Sequence, residues 1–272
     1  MKKKDNLTKI ASNVRKDILE MSYKAQSAHT GGALSCVEIL VALYFRVMKV
    51  FPNDPYSDKR DRLIFSKAHD AKALYAVLAE RGYFDKELLN GYEMTGGKLP
   101  GHSTRHCVPG VEVSAGSLGH GLPIAAGIAY AGKLDNKDHK VFAVLSDGEC
   151  DEGTTWEAAL FAGTHGLDNL IVVVDYNKLQ GFGYTKDVMD LEPFDKKWES
   201  FNWGVRVVKN GHSFEELIKN MNSAPFQKGK PSLIIAHTIK GLGGVAKHIN
   251  MVSSQYKPPT KEDVEEVILK FK

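Results

Sequence analysis

The stretch Val141-Phe142-Ala143-Val144-Leu145-Ser146-Asp147-Gly148-Glu149 decides the reading of this chain, together with its downstream answer, Leu170-Ile171-Val172-Val173-Val174-Asp175-Tyr176-Asn177. Each is a short apolar run that ends in polar residues, the pattern of a strand buried on both faces. Thr154 to His165 between them reads as a crossover helix. The unit is therefore strand, loop, helix, strand, with Asp147 and Asn177 delivered to the carboxyl ends of two parallel strands, where open α/β sheets bind ligands. A carboxylate and an amide oxygen there suit Mg²⁺ or Ca²⁺, which takes hard oxygen donors and leaves positions for phosphate oxygens. Gly148 and Gly153 let backbone amides approach a phosphate closely. On these residues alone, a strand-to-helix turn capped by Asp147 fits the fragment equally well.

The flanking sequence continues the alternation of helix and strand. Leu7, Ile10, Val14, Ile18 and Met21 recur at helical spacing and predict a helix that ends near Ser27, followed directly by a loop carrying His29. Ser35 and Glu38 read as a capping box before a helix over Ile39 to Val47. After a polar loop from Pro52 to Asp61 come a strand over Leu63 to Phe65 and a helix over Ala71 to Arg81. Gly91 to Gly110 has no periodicity and reads as a loop held by function. Gly119 to Gly132 predicts a helix of small residues, and Gly181 to Trp198 a second long loop. Trp203 to Val208 reads as a strand, Phe214 to Met221 as a helix, Leu233 to Ala236 as a strand and Lys261 to Phe271 as a terminal helix with Val264, Val267 and Ile268 in one stripe. The expected fold is α/β, a parallel sheet with helices on both faces, in a single domain over residues 1–272.

A chain of 272 residues with net charge +3 can bury a sizeable core and carries too little charge to argue for nucleic acid or a membrane surface as partner. Basic residues form a run only at Lys2 to Lys4. With no signal-like segment, and with Ile39 to Phe45 as the longest apolar run, the expected location is the cytoplasm. Cys36, Cys107 and Cys150 are odd in number and widely spaced, which disfavours disulfides and thiolate metal sites; Cys150, in the loop after Asp147, reads as a packing thiol.

Four of the ten histidines, His29, His69, His102 and His120, sit in polar or Gly-rich loops, where function concentrates. Their spacing is poor for zinc. Imidazoles gripping a polyhydroxylated substrate are the better reading.

Ser146-Asp147-Gly148 with the later Asn177 resembles the thiamine-diphosphate motif, usually written Gly-Asp-Gly, with Ser in place of the first Gly. Nearly the whole chain resembles the amino-terminal, diphosphate-binding part of transketolases, in the phrases Ser27-Ala28-His29-Thr30-Gly31-Gly32, Ser66-Lys67-Ala68-His69, Pro100-Gly101-His102 and Gly116-Ser117-Leu118-Gly119-His120-Gly121. The resemblance implies a thiamine-diphosphate-binding fold and transfer of a two-carbon ketol unit from a ketose, often phosphorylated, to an aldose. It implies thiamine diphosphate and Mg²⁺ (or Ca²⁺) as cofactors, with Asp147, Asn177 and the Leu179 carbonyl on the metal. It places His69 at the diphosphate, beside the Gly148 amide already read there, with Gly116 and Leu118 at the aminopyrimidine, His102 at the donor's first hydroxyl and His29 on the acceptor side. Glu152 and Glu157 match family positions at the subunit contact that couples cofactor sites; without the resemblance they are acidic residues favouring a helix amino-terminus.

In that family the glutamate that activates the cofactor belongs to the pyrimidine-binding domain. The chain, ending at Lys272, accordingly resembles the first subunit of a split transketolase, inactive alone and assembled with a pyrimidine-binding and carboxyl-terminal subunit, expectedly as α2β2. One departure stands out: after Thr238-Ile239-Lys240-Gly241-Leu242-Gly243-Gly244 the family's Trp-His-Gly or His-x-x-His-Gly phrase is missing, and Ser253-Gln255-Tyr256 lies there instead. His248 as a substitute imidazole, or a changed substrate, are the two readings. Two other functions compete: another thiamine-diphosphate carboligase (deoxyxylulose-phosphate-synthase-like, 2-oxo-acid-dehydrogenase-like or a specialised sugar-modifying enzyme), and a noncatalytic assembly module.

Overall fold

Strand residues alternate between two cores, and that alternation builds the molecule. In the computed structural model, which describes residues 6–270, β1 (Arg62–Phe65), β2 (Val141–Ser146), β3 (Leu170–Tyr176), β6 (Gly204–Val208) and β7 (Ser232–His237) form a parallel sheet in the order β1-β2-β3-β7-β6. Phe142, Val144, Ile171, Val173 and Ile234 face one core, while Val141, Ala143, Leu145, Val172, Val174 and Ile235 face the other. Since successive side chains point to opposite faces, a strand must be apolar throughout when both faces are covered.

The first core is closed by α1 (Leu7–Lys24), α2 (Thr30–Ser35), α3 (Val37–Ala42), α4 (Ala71–Arg81) and α9 (Phe214–Asn222), the second by α5 (Gly121–Leu134), α6 (Gly153–Thr164) and α8 (Phe194–Ser200). A two-stranded hairpin of β4 (Leu179–Gln180) and β5 (Gly183–Tyr184) and the short α7 (Thr185–Val188) follow β3, and α10 (Ser253–Tyr256) and α11 (Lys261–Leu269) end the chain. The expected terminal-helix residue Phe271 and the Lys2 to Lys4 run lie outside the described residues.

Two expectations need correction. Ser35 and Glu38 form no capping box: Ser35 Oγ donates to the Gly32 carbonyl and to Asp175, and Glu38 pairs with Arg15 and His212. Tertiary partners outweigh the local motif, and the expected helix over Ile39 to Val47 is α3 continued by a π-helical turn over Leu43–Val47. The expected loop from Gly181 to Trp198 contains β5, α7 and the start of α8, whose Phe194 and Trp198 are buried in the second core.

Gly163 is a point where close packing admits no side chain. A Cβ there would collide with the Phe201 carbonyl oxygen. Gly163→Ala is expected to destabilise the protein by about 1–3 kcal/mol, because overpacking against backbone outweighs the roughly 1 kcal/mol that alanine gains in a helix; denaturant unfolding checks the sign.

Candidate active site

The carboxyl ends of β2, β3 and β7 open into a cavity of about 310 Å³. It gathers residues expected from the sequence: Asp147, Gly148, Asn177 and Leu179 from the ends of β2 and β3, and His29, His69, His102, Gly116 and Leu118 from the loops. Asp147 is 1 % exposed. Its carboxylate accepts the backbone N–H of Gly148 at 2.8 Å and that of Lys178, which ties the end of β2 to the end of β3. Asn177 Oδ1 accepts the Leu179 N–H at 3.1 Å, turning the chain so that the Leu179 carbonyl also belongs to the site.

Burial, aided by the nearby charge of Asp175, pushes Asp147 up to about 6 despite those two N–H donors. A buried carboxylate under that strain gains from a cation. Asp147, Asn177 and Leu179, all lining the cavity, offer a carboxylate, an amide oxygen and a backbone carbonyl, a set that fits a hard divalent ion. Among the described residues no group of three or more His, Cys, Asp or Glu side chains could hold a metal, so a cation here would rest on one carboxylate, neutral oxygens and the ligand's own oxygens. Gly121, at the start of α5, lies against Ser66 with no room for a Cβ, and a Cβ on Gly148 would come within 2.9 Å of Gln180; Gly148 and Gln180 both line the cavity, so the close approach of backbone there belongs to Gly148.

Three of the histidines cluster. His29 caps α2 in the left-handed region, φ 64°, with its N–H donated to the Gln255 carbonyl at 2.7 Å. Its ring meets His69 edge-on at 5.3 Å between centroids. Burial lowers the His29 pKa to about 4, against the opposing charge of Asp70, so the ring is a neutral hydrogen-bonding group near pH 7. His69 Nε2 lies 3.2 Å from Asp70 Oδ2. His102 stacks its ring edge over Gly116, where a Cβ would be 3.4 Å away. His120 is exposed, and its ring nitrogen meets the Leu118 carbonyl at 3.1 Å. Glu152 and Glu157 stand apart, exposed at the start of α6 and outside the cavity lining.

Sequence reasoning passes over the charges beneath these groups. Lys67, 1 % exposed, bridges Asp175 and Asp70, the latter at 3.2 Å, and donates to the Gly32 carbonyl at 3.1 Å. Although burial works against its charge, Asp175 and the other neighbouring acids raise the Lys67 pKa and keep it protonated. Lys240, also buried, donates Nζ to the Leu179 carbonyl at 2.9 Å, and burial lowers its pKa. Glu149, fully buried, accepts from Ser66 Oγ and from the Gly119 N–H at 2.9 Å, fastening the Gly116 loop to the end of β2. Signals existed: Lys67 and Glu149 adjoin expected site residues, and Lys240 stands inside one of the phrases shared with transketolases.

His248 does not enter the cavity; its Nδ1 meets Ser253 Oγ at 2.8 Å in a separate small pocket, and Gln255 lines the main cavity instead. Cys150 is buried with its pKa raised by that burial, and all three cysteines are free thiols.

Residues 7–271 match the family described as transketolase, thiamine diphosphate binding domain. The chain belongs to the transketolase family. Transketolase-type transferases are also its relatives: it is 42 % identical over 247 residues to 6-deoxy-6-sulfo-D-fructose transketolase subunit SqwG of Clostridium sp. (strain MSTE9), covering 91 % of this chain and 90 % of that protein. With an apulose-4-phosphate transketolase subunit of Phocaeicola vulgatus it shares 41 % identity over 259 residues, 93 % of this chain and 89 % of that one. The transketolase structure from Leishmania mexicana superposes with a TM-score of 0.91 at 30 % identity over 98 % of this chain, which spans 41 % of that longer chain. The transketolase fold and a thiamine-diphosphate-binding domain are thereby established for this protein, and no helix among its described residues is long and apolar enough to cross a membrane.

Proposed function

We propose that residues 1–272 act as one diphosphate-binding unit of a two-subunit transketolase, transferring a two-carbon ketol unit from an anionic ketose to an aldose. The observation that carries this reading is the meeting, in one cavity, of Asp147, Asn177 and the Leu179 carbonyl with His29, His69 and His102. Asp147 and the two neutral oxygens would hold Mg²⁺ (or Ca²⁺) against the diphosphate, with Gly148 and His69 beside it and Lys67 and Lys240 balancing charge. Thiamine diphosphate, when bound, supplies the electron sink that such transfer requires. Gly116 and Leu118 would present backbone groups to its aminopyrimidine. His102 would orient and exchange a proton with the donor's first hydroxyl, and neutral His29 would do the same on the acceptor side. Glu152 and Glu157 are assigned to contact between subunits.

The relatives' names supply the partner and substrate arguments: both are called subunits, one for a sulfonated ketose and one for a ketose phosphate. A pyrimidine-binding and carboxyl-terminal partner in an α2β2 assembly is the corresponding proposal here, with a cytoplasmic location consistent with three free cysteines. His102→Ala is expected to lower ketol transfer about a hundredfold while cofactor affinity changes little, because the role assigned to it is at the donor hydroxyl. Steady-state kinetics of the reconstituted complex, with phosphorylated and sulfonated ketose donors at saturating cofactor, check this; wild-type turnover and donor KM would remove His102 from the reaction. Pyruvate as preferred donor, with release of carbon dioxide, would favour the 2-oxo-acid carboligases.

A further inference from the structure

Behind the segment that carries Lys240, side chains from three distant parts of the sequence meet: Arg15 and Glu38 are buried, and His212 is half-buried. Glu38 on α3 receives the Arg15 guanidinium at 2.7 and 2.8 Å, and its Oε2 meets His212 Nδ1 at 2.9 Å. The other imidazole nitrogen, His212 Nε2, accepts the Ile239 backbone N–H at 2.9 Å, and Arg15 Nε donates to the Leu242 carbonyl at 3.2 Å. The turn from Ile239 to Leu242 is thus held at both ends by one cluster, with Lys240 between.

The hydrogen-bond roles leave a single protonation pattern. A backbone N–H can only donate, so Nε2 is unprotonated, Nδ1 carries the proton and Glu38 accepts it. Burial works against the Glu38 charge, yet the His212 hydrogen bond and Arg15 bring its pKa below the ordinary glutamate value, so the acceptor is ionised. The loop bearing His212 has no slack. Gly211 donates its N–H to the His237 carbonyl at 2.7 Å, and a Cβ there would come within 2.7 Å of the Thr238 methyl and 2.8 Å of the His237 oxygen.

We infer that Glu38 and His212 are positioning residues for diphosphate binding, fixing the Ile239–Leu242 turn so that Lys240 Nζ is delivered into the cavity. The role rests on the diphosphate reading given above. Neither side chain lines the cavity, so both act through Lys240. Lysine loses much side-chain freedom when held, and a backbone already fixed on both sides leaves less to be ordered on binding.

His212→Asn separates this role from general stability. Its amide can still donate to Glu38, keeping the buried carboxylate paired, but is too short to accept from Ile239; His212→Ala removes both links. In the chain without cofactor, amide hydrogen exchange at residues 238–244 is expected to speed up in both variants while α1 and α3 stay protected. In the complex with the partner, titration of thiamine diphosphate with Mg²⁺ is expected to show about tenfold weaker binding for His212→Asn, the upper end of what one hydrogen bond contributes net. In a Lys240→Met background the same substitution should cost less than about twofold, because coupled residues are not additive. Unchanged exchange in His212→Asn, or a full tenfold effect persisting without Lys240, would overturn the role. No thiamine diphosphate binding by the wild-type complex would overturn it together with the cofactor reading, whereas equal binding by wild type and His212→Asn would overturn it alone.

Discussion

Asp147→Ala is expected to abolish Mg²⁺-dependent binding of thiamine diphosphate while leaving the fold intact. Asp147 is the one carboxylate in the proposed set of metal oxygens, and removing it would leave the diphosphate's charge without the cation that Asp147 would hold. Two opposed effects on stability favour a folded variant. The carboxylate is buried and pushed up to about 6, so its charge is costly at neutral pH in the free protein; its loss frees the Gly148 and Lys178 N–H groups, which costs about 1–3 kcal/mol if they remain dry. Circular dichroism with calorimetric titration of the partnered complex separates folding from binding. Wild-type cofactor affinity in a folded variant would remove Asp147 from the metal. Asn177→Ala should act in the same direction and less strongly, since water can replace a neutral oxygen ligand.

The second large effect concerns assembly. The cavity is built from the carboxyl ends of the central strands and the loops around them, and relatives matching this chain over about nine-tenths of both lengths are named as subunits. The purified chain is therefore expected to show no ketol transfer with any donor. Adding a pyrimidine-binding subunit should restore transfer, saturating at equal amounts of the two chains, with light scattering giving an α2β2 mass. Robust transfer by the chain alone, free of contaminating partner, would overturn the two-subunit reading.

How far the sequence can be read depends on whether the information is local. The strands carrying Asp147 and Asn177 are legible because a strand covered on both faces must be apolar at every position, and the runs Val141 to Leu145 and Leu170 to Val174 satisfy that. Helix α8 is hidden because seven residues hold only two turns, too few to show a period, although Phe194 and Trp198 are its buried positions. Ser35 and Glu38 mislead because their spacing matches a capping box while their partners, Asp175, Arg15 and His212, lie far away in sequence.

The site shows the same division. His29, His69, His102, Gly116, Leu118 and the proposed metal oxygens stand in or beside short phrases shared with transketolases, and they are legible through that resemblance, not from their own spacing; the structure brings them to one cavity. Lys67 and Asp70 flank His69 closely in sequence, yet their tie to Asp175 does not announce itself, because Asp175 meets Lys67 across 108 residues. His248, attractive for its residue type, lies in another pocket, and Gln255 takes the place by the cavity.

The most direct measurement is anomalous diffraction from crystals of the two-subunit complex grown with thiamine diphosphate and Mn²⁺ in place of Mg²⁺. One Mn²⁺ peak is expected, bonded to Asp147, Asn177 and the Leu179 carbonyl and to the diphosphate, with Lys240 Nζ within hydrogen-bonding reach of a phosphate oxygen. A peak elsewhere, or cofactor density outside this cavity, would contradict that expectation.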